Sequence, residues 1–115
     1  MNQTYHLINQ QTIDIMKPNV FLVNTSRGSI INQADLYDAL SAGKFSGIAL
    51  DVMEKEPPEK NDILKMEHVI YTPHVSWHSE DAEITLRKRA ALEVKRVLLR
   101  GKPINLVNKE VLSDL

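Results

Sequence analysis

The sequence contains no cysteine, which excludes a disulfide framework and a thiolate metal site and agrees with a reducing compartment. Nor is there an excess of either charge. Fourteen Lys and Arg face 15 Asp and Glu, and a net charge of −1 does not make the basic surface that nucleic acid or an anionic membrane requires. No apolar run approaches the roughly 18 residues of a membrane span. The opening Met1-Asn2-Gln3-Thr4-Tyr5-His6 has neither the basic start nor the apolar centre of a signal peptide. Internal repeats, low-complexity segments and a G-x-G-x-x-G phosphate loop are also missing. His6, His68 and His78 show no ligand spacing with an acidic cluster, so no metal is expected. What remains is 115 residues, 43% hydrophobic, the size of one small cytoplasmic domain with an ordinary core.

The organising stretch is residues 16–32. Val20-Phe21-Leu22-Val23 reads as a short buried strand closing on Asn24, followed by Thr25-Ser26-Arg27-Gly28-Ser29 and a helix capped by Asn32. Before it, Asn9 caps a helix over 10–16 with Ile13, Ile15 and Met16 inward, stopped by Lys17-Pro18. After it, Leu36, Ala39 and Leu40 repeat at helical spacing up to Gly43, an αL cap. Gly47-Ile48-Ala49-Leu50 forms a second strand ending at Asp51-Val52. A loop with Glu54, Glu56 and Pro57-Pro58 follows, with Glu59, Lys60 and Asn61 solvated and one helical turn over 62–66. Residues 68–71 form a third strand ending in Thr72-Pro73-His74. Ser79 caps a long helix with Glu80 and Asp81 first and Arg96 and Arg100 last, its stripe being Leu86, Ala90, Val94, Val97 and Leu98, and its end Gly101 and Pro103. The order implies α/β class, a partial parallel sheet of about three strands with flanking helices, over 1–101, and a tail over 102–115.

Each strand closes on a polar or ionisable group: Arg27, Asp51 and His74. Parallel strands share one carboxyl edge, so the three converge, and Glu56 can turn back towards His74. A carboxylate beside an imidazole favours its protonated form and fixes its orientation. The arginine fork suits a substrate carboxylate. Arginine for an acid, histidine for a proton and glutamate to tune it fit redox chemistry at a carbon beside a carboxylate. A plainer reading stays open, in which Arg27 pairs with a surface carboxylate and the four residues share no purpose. Trp77 either walls the substrate pocket or packs under the long helix.

Residues 16–32 resemble the signature of the D-isomer-specific 2-hydroxyacid dehydrogenases, a Met-Lys-Pro-like turn leading into a strand that ends Asn-x-Ser-Arg-Gly. Leu50-Asp51-Val52 with Glu56-Pro57, and Thr72-Pro73-His74, agree with that family in order and spacing. The resemblance implies the second half of a Rossmann-type dinucleotide-binding domain. It assigns substrate-carboxylate binding to Arg27, acid/base work to His74, support of the histidine to Glu56 and a nicotinamide contact to Asp51. Arg27 and His74 then also border the cofactor, NAD or NADP, with Thr25 and Ser26 along the nicotinamide. Substrate would be a 2-oxo or 2-hydroxy acid, with Trp77 beside it. The glycine-rich half and the substrate domain of such enzymes have no counterpart in these residues, so the chain is expected to be inactive alone and to self-associate, most simply as a homodimer. Two other readings share the motifs: an NAD-sensing binding protein of the corepressor kind, for which similar Trp-containing segments are known, and a non-catalytic remnant.

Overall fold

The computed structural model describes residues 3–58 and 62–110, so the expected loop at Glu59, Lys60 and Asn61 and the end of the tail lie outside the described residues. Residues Met1–Ser76 form one compact unit and Trp77–Leu115 a second.

The first unit is a parallel sheet of β1 (Val20–Asn24), β2 (Phe45–Leu50) and β3 (Val69–Tyr71), in that spatial order. Register places Phe21 beside Gly47, Val23 beside Ala49 and Leu50 beside Tyr71. The helices α1 (Gln10–Asp14) and α2 (Gln33–Ser41) and the 3₁₀ turns Gly28–Ile30 and Asp62–Lys65 complete the unit. Ile13, Ile31, Leu36, Phe45, Ile48, Leu50, Met53 and Ile63 make its core. Each large aliphatic among them contributes about 1.5–3 kcal/mol by leaving water.

Local chemistry fixes the helices. Asn9 Oδ1 accepts the Thr12 N–H (3.2 Å) while Thr12 Oγ1 accepts the Asn9 N–H (2.8 Å), a reciprocal cap at α1. Asp35 Oδ2 accepts the Gln10 N–H at 2.8 Å, and Lys44 Nζ donates to the carbonyls of Asp14 (3.2 Å) and Met16 (2.8 Å) beyond the other end. Those carbonyl bonds close α1 two residues sooner than expected and leave Ile15 in solvent, though Ile13 is buried and Met16 packs on the core. Asn32 caps α2 through the N–H groups of Ala34 and Asp35. Gly43 ends it at φ +72°, with Gly43 N–H to Leu40 O and Lys44 N–H to Ala39 O.

The run Val20–Val23 is not buried throughout. Leu22 packs on the core, whereas Phe21 and Val23 stay 72% and 66% exposed, with Ile70 alongside on an open apolar face of about 440 Å³. Strand alternation sends every second side chain to that face whatever its polarity. β2 begins at Phe45, two residues before the expected start, and β3 at Val69, because His68 is left-handed at φ 65°. A parallel bridge between Ile8 and Ile31, outside the named strands, ties the N-terminal segment to the turn after β1.

In the second unit Ser79 Oγ accepts the Ala82 N–H at 3.1 Å and caps α3 (Glu80–Leu98). Its expected stripe of Leu86, Ala90, Val94, Val97 and Leu98 is exposed, since periodicity marks a face without covering it. The left-handed residue at its end is Arg100 (φ 60°) rather than Gly101, whose N–H bonds Arg96 O at 2.8 Å. Glu93 then anchors the tail. Its carboxylate accepts the Ile104 N–H (2.6 Å) and Arg96 Nε–H (3.1 Å), and the Ile104 bond first among several holds it below the usual carboxylate range against partial burial.

Candidate active site

At the end of β1, Asn24 is buried and its amide shapes the turn that follows. Oδ1 accepts the Ser26 N–H at 3.1 Å and Nδ2 donates to the Arg27 carbonyl at 3.0 Å, so Thr25, Ser26 and Arg27 are presented outward on a short, tied loop. Arg27 Nη1 donates to the Ser26 carbonyl at 2.7 Å, and no ion pair among the described residues includes Arg27. The plainer sequence reading needed such a pair. Asn24 was not singled out in the sequence, although a lone amide closing an apolar strand was its signal.

At the end of β2, Asp51 is only 2% exposed. Oδ1 accepts the Thr72 hydroxyl (2.5 Å) and the Val75 N–H (2.9 Å), and Oδ2 accepts the Ser76 N–H (3.0 Å). Burial opposes ionisation, but these hydrogen bonds overcome it and hold the carboxyl well below the usual range. Its own N–H bonds Asn24 O at 2.9 Å and its carbonyl accepts the His74 N–H at 2.8 Å. Asp51 therefore stitches the ends of all three strands together.

At the end of β3, His74 is left-handed at φ 55°, a conformation a histidine adopts at some cost and that its shared N–H, to Asp51 O and Thr72 O, maintains. Its Nδ1 lies 2.8 Å from Glu56 Oε2, and Glu56 Oε1 accepts the Met53 N–H at 3.0 Å. The His74 bond, then the Met53 bond, keep Glu56 below the usual carboxylate range. An ionised carboxylate accepts only, so Nδ1 carries the proton of this bond. The two side chains are 41% and 34% exposed, so the pair is reachable by a ligand.

A cleft of about 110 Å³ opens between the strand ends, lined on its polar side by Thr25, Asp51, Thr72 and Ser76 and on its apolar side by Val23, Ala49 and Ile70. Among the described residues no group of three His, Asp or Glu is placed to hold a metal ion, and no helix is long and apolar enough to cross a membrane. Trp77 opens the second unit, exposed, with its ring 5.4 Å from that of His78 in an edge-on contact. It does not pack beneath α3 as a buried residue.

Residues 1–76 match the family model described as D-isomer specific 2-hydroxyacid dehydrogenase, NAD binding domain. The chain is 40% identical over 106 residues to D-3-phosphoglycerate dehydrogenase of Methanocaldococcus jannaschii, covering 92% of itself and 20% of that protein. It is 38% identical over 106 residues to glyoxylate reductase 1 of Saccharomyces cerevisiae, covering 92% of itself and 30% of that protein. Among solved structures, D-lactate dehydrogenase of Aquifex aeolicus, complexed with NAD and lactic acid, superposes with a TM-score of 0.76 at 32% identity, over 85% of this chain and 34% of that one. The chain thus spans a fifth to about a third of the length of these relatives.

Proposed function

The chain belongs to the D-isomer-specific 2-hydroxyacid dehydrogenase family, and from that premise we propose that it forms the nicotinamide-side half of an oxidoreductase interconverting 2-oxo and 2-hydroxy acids. The observation that carries this reading is the His74 Nδ1 to Glu56 Oε2 bond of 2.8 Å, held at the same sheet edge as Arg27.

Each residue then has a separate task. The Arg27 fork takes the substrate carboxylate in two parallel hydrogen bonds and so orients the neighbouring carbon. His74, protonated at Nε2, gives that proton to the substrate oxygen during reduction and takes it back during oxidation. Glu56 holds the ring in one orientation.

The strand ends fit the nicotinamide part of NAD or NADP. Thr25, Ser26 and Asp51 would meet its amide, the Asp51 carboxylate as an acceptor. Arg27 and His74 would border the ring. Bound NADH supplies the hydride. The pyrophosphate has no glycine-rich cradle in the 115 residues, so the chain alone is inactive in our reading, and the working form is a cytoplasmic homodimer in which residues 1–101 complete a dinucleotide-binding domain and 102–115 form its tail.

The test is a chimera joining this chain to the remainder of a family dehydrogenase. It should reduce a pyruvate-like acid with NADH, and Arg27→Lys should raise KM for the acid at least tenfold while leaving the weak reduction of the matching amide unchanged. A chimera that folds and binds NADH yet reduces no 2-oxo acid would defeat the proposal.

A further inference from the structure

We propose that His6, acting through Glu54, is a positioning residue for the Glu56–His74 pair. His6 Nε2 lies 2.6 Å from Glu54 Oε1, two residues before Glu56 and 48 residues away in sequence. The two side chains are 25% and 34% exposed, so the bond is partly open to water and counts through the positions it fixes rather than through its own strength.

The histidine is placed by every group it owns. Its backbone is left-handed at φ 50°, a conformation that persists only where the surroundings impose it. Its N–H donates to Ser29 O at 2.9 Å and its carbonyl accepts the Asn9 side-chain amide at 2.9 Å. The Tyr5 ring stacks on the imidazole, centroids 3.8 Å apart and planes 20° from parallel. Two residues on, Ile8 N–H bonds Ile30 O (2.9 Å) and Asn32 N–H bonds Ile8 O (2.8 Å), so the whole segment is fastened to the turn that follows Arg27.

Glu54 needs such a partner. The loop that carries it leaves β2 at Asp51, and its described residues, 51–58, include no strand or helix. Glu56 meets His74 with one oxygen while Met53 N–H holds the other, and Met53 and Glu54 are neighbours. A carboxylate fixed at Glu54 removes freedom from the next two residues, and fixing one end of a hydrogen-bonded pair lowers the entropic cost of making it. The brace thus runs from the N-terminal segment through Glu54 to Glu56 and ends on the His74 ring.

The experiment follows the His74 Nδ1 proton by NMR in the 115-residue chain, assigned by its loss in His74→Gln. In His6→Ala, exchange of that proton with water should accelerate at least tenfold. In His6→Gln, whose amide can still donate to Glu54, it should return to within twofold of wild type. Ile48→Val, which loosens the core elsewhere, should leave it unchanged. Wild-type exchange in His6→Ala overturns the proposal, as does equal acceleration in Ile48→Val. If His6→Ala does not fold, Glu54→Ala removes the same bond from the exposed side, and wild-type exchange there is equally fatal. The inference rests on the reading of Glu56 and His74 as a working pair, but such a result removes only the brace and leaves the kinetic test of Arg27 standing.

Discussion

Gly28 and Met53 lie so close that a methyl group on Gly28 would fall 1.9 Å from the Met53 carbonyl oxygen. No side chain larger than hydrogen fits between them, so the turn that presents Arg27 is pressed directly on the loop that carries Glu56. Arg27 and Glu56 are thereby spaced by backbone rather than by side chains, which gives a stiffer separation. That stiffness is what a bound acid needs if its carboxylate and its reacting carbon are to meet two different residues.

His74 tests the chemistry. In the chimera, His74→Ala should lower kcat at least a hundredfold, since positioned acid/base groups supply roughly 10²–10⁴. NADH affinity should change by less than threefold. Steady-state kinetics and a cofactor titration measure both, and undiminished turnover would strip His74 of its role.

Glu56 tests the tuning. Glu56→Gln removes the charge at nearly constant shape, so the low-pH limb of 2-oxo acid reduction that reports loss of the Glu56 charge should disappear from the chimera's profile. Glu56 itself ionises below the ordinary carboxylate range in the fold. Its charge therefore adds stability that is full above that range and fades as pH falls through it. A pH–rate profile superimposable on wild type would count against the pair.

Asp51 is expected to act on stability rather than on turnover alone. Its folded carboxyl ionises well below the ordinary range, so its contribution is complete above about pH 5 and is lost on acidification below roughly pH 4. Asp51→Asn cannot ionise and turns its one NH2 group either towards the Ser76 N–H or towards the Thr72 hydroxyl and the Val75 N–H, so one side of the carboxylate site faces a donor. Thermal melts should show a large gap between the two proteins at pH 7 that narrows at pH 3. A gap of equal size at both values would mean that the charge is not what matters.

The 115-residue chain by itself should bind NADH no better than millimolar and should associate with itself. The first follows from the missing phosphate cradle. The second follows from Phe21, Val23 and Ile70 standing on an open apolar face. Calorimetry with NADH and light scattering over a range of concentrations test the two claims, and micromolar binding by a clean monomer contradicts both.

Much of this was legible in the residues. The three strands, the caps at Asn9, Asn32 and Ser79, and the meeting of Glu56 with His74 all follow from local pattern and from the shared edge of parallel strands. What was hidden has one physical cause. A periodic apolar pattern tells which side chains share a face but not whether anything lies against it, so the outer face of β1 and the stripe of α3 were expected inside and are outside. Contacts of long sequence separation were equally silent. Nothing near His6 announces Glu54, and nothing near Ile8 announces Ile31. Arg100 in the left-handed position that Gly101 was expected to own shows the same limit at a single turn.

Spatial order in the sheet equals chain order: β2 joins β1, and β3 joins β2. No strand has to be threaded between two that are already paired. The sheet can consequently grow one edge at a time as the polypeptide emerges, each new strand finding a template made by the one before it. His74, last of the strand-end groups to be synthesised, then arrives at an edge where Arg27 and Glu56 are already in place.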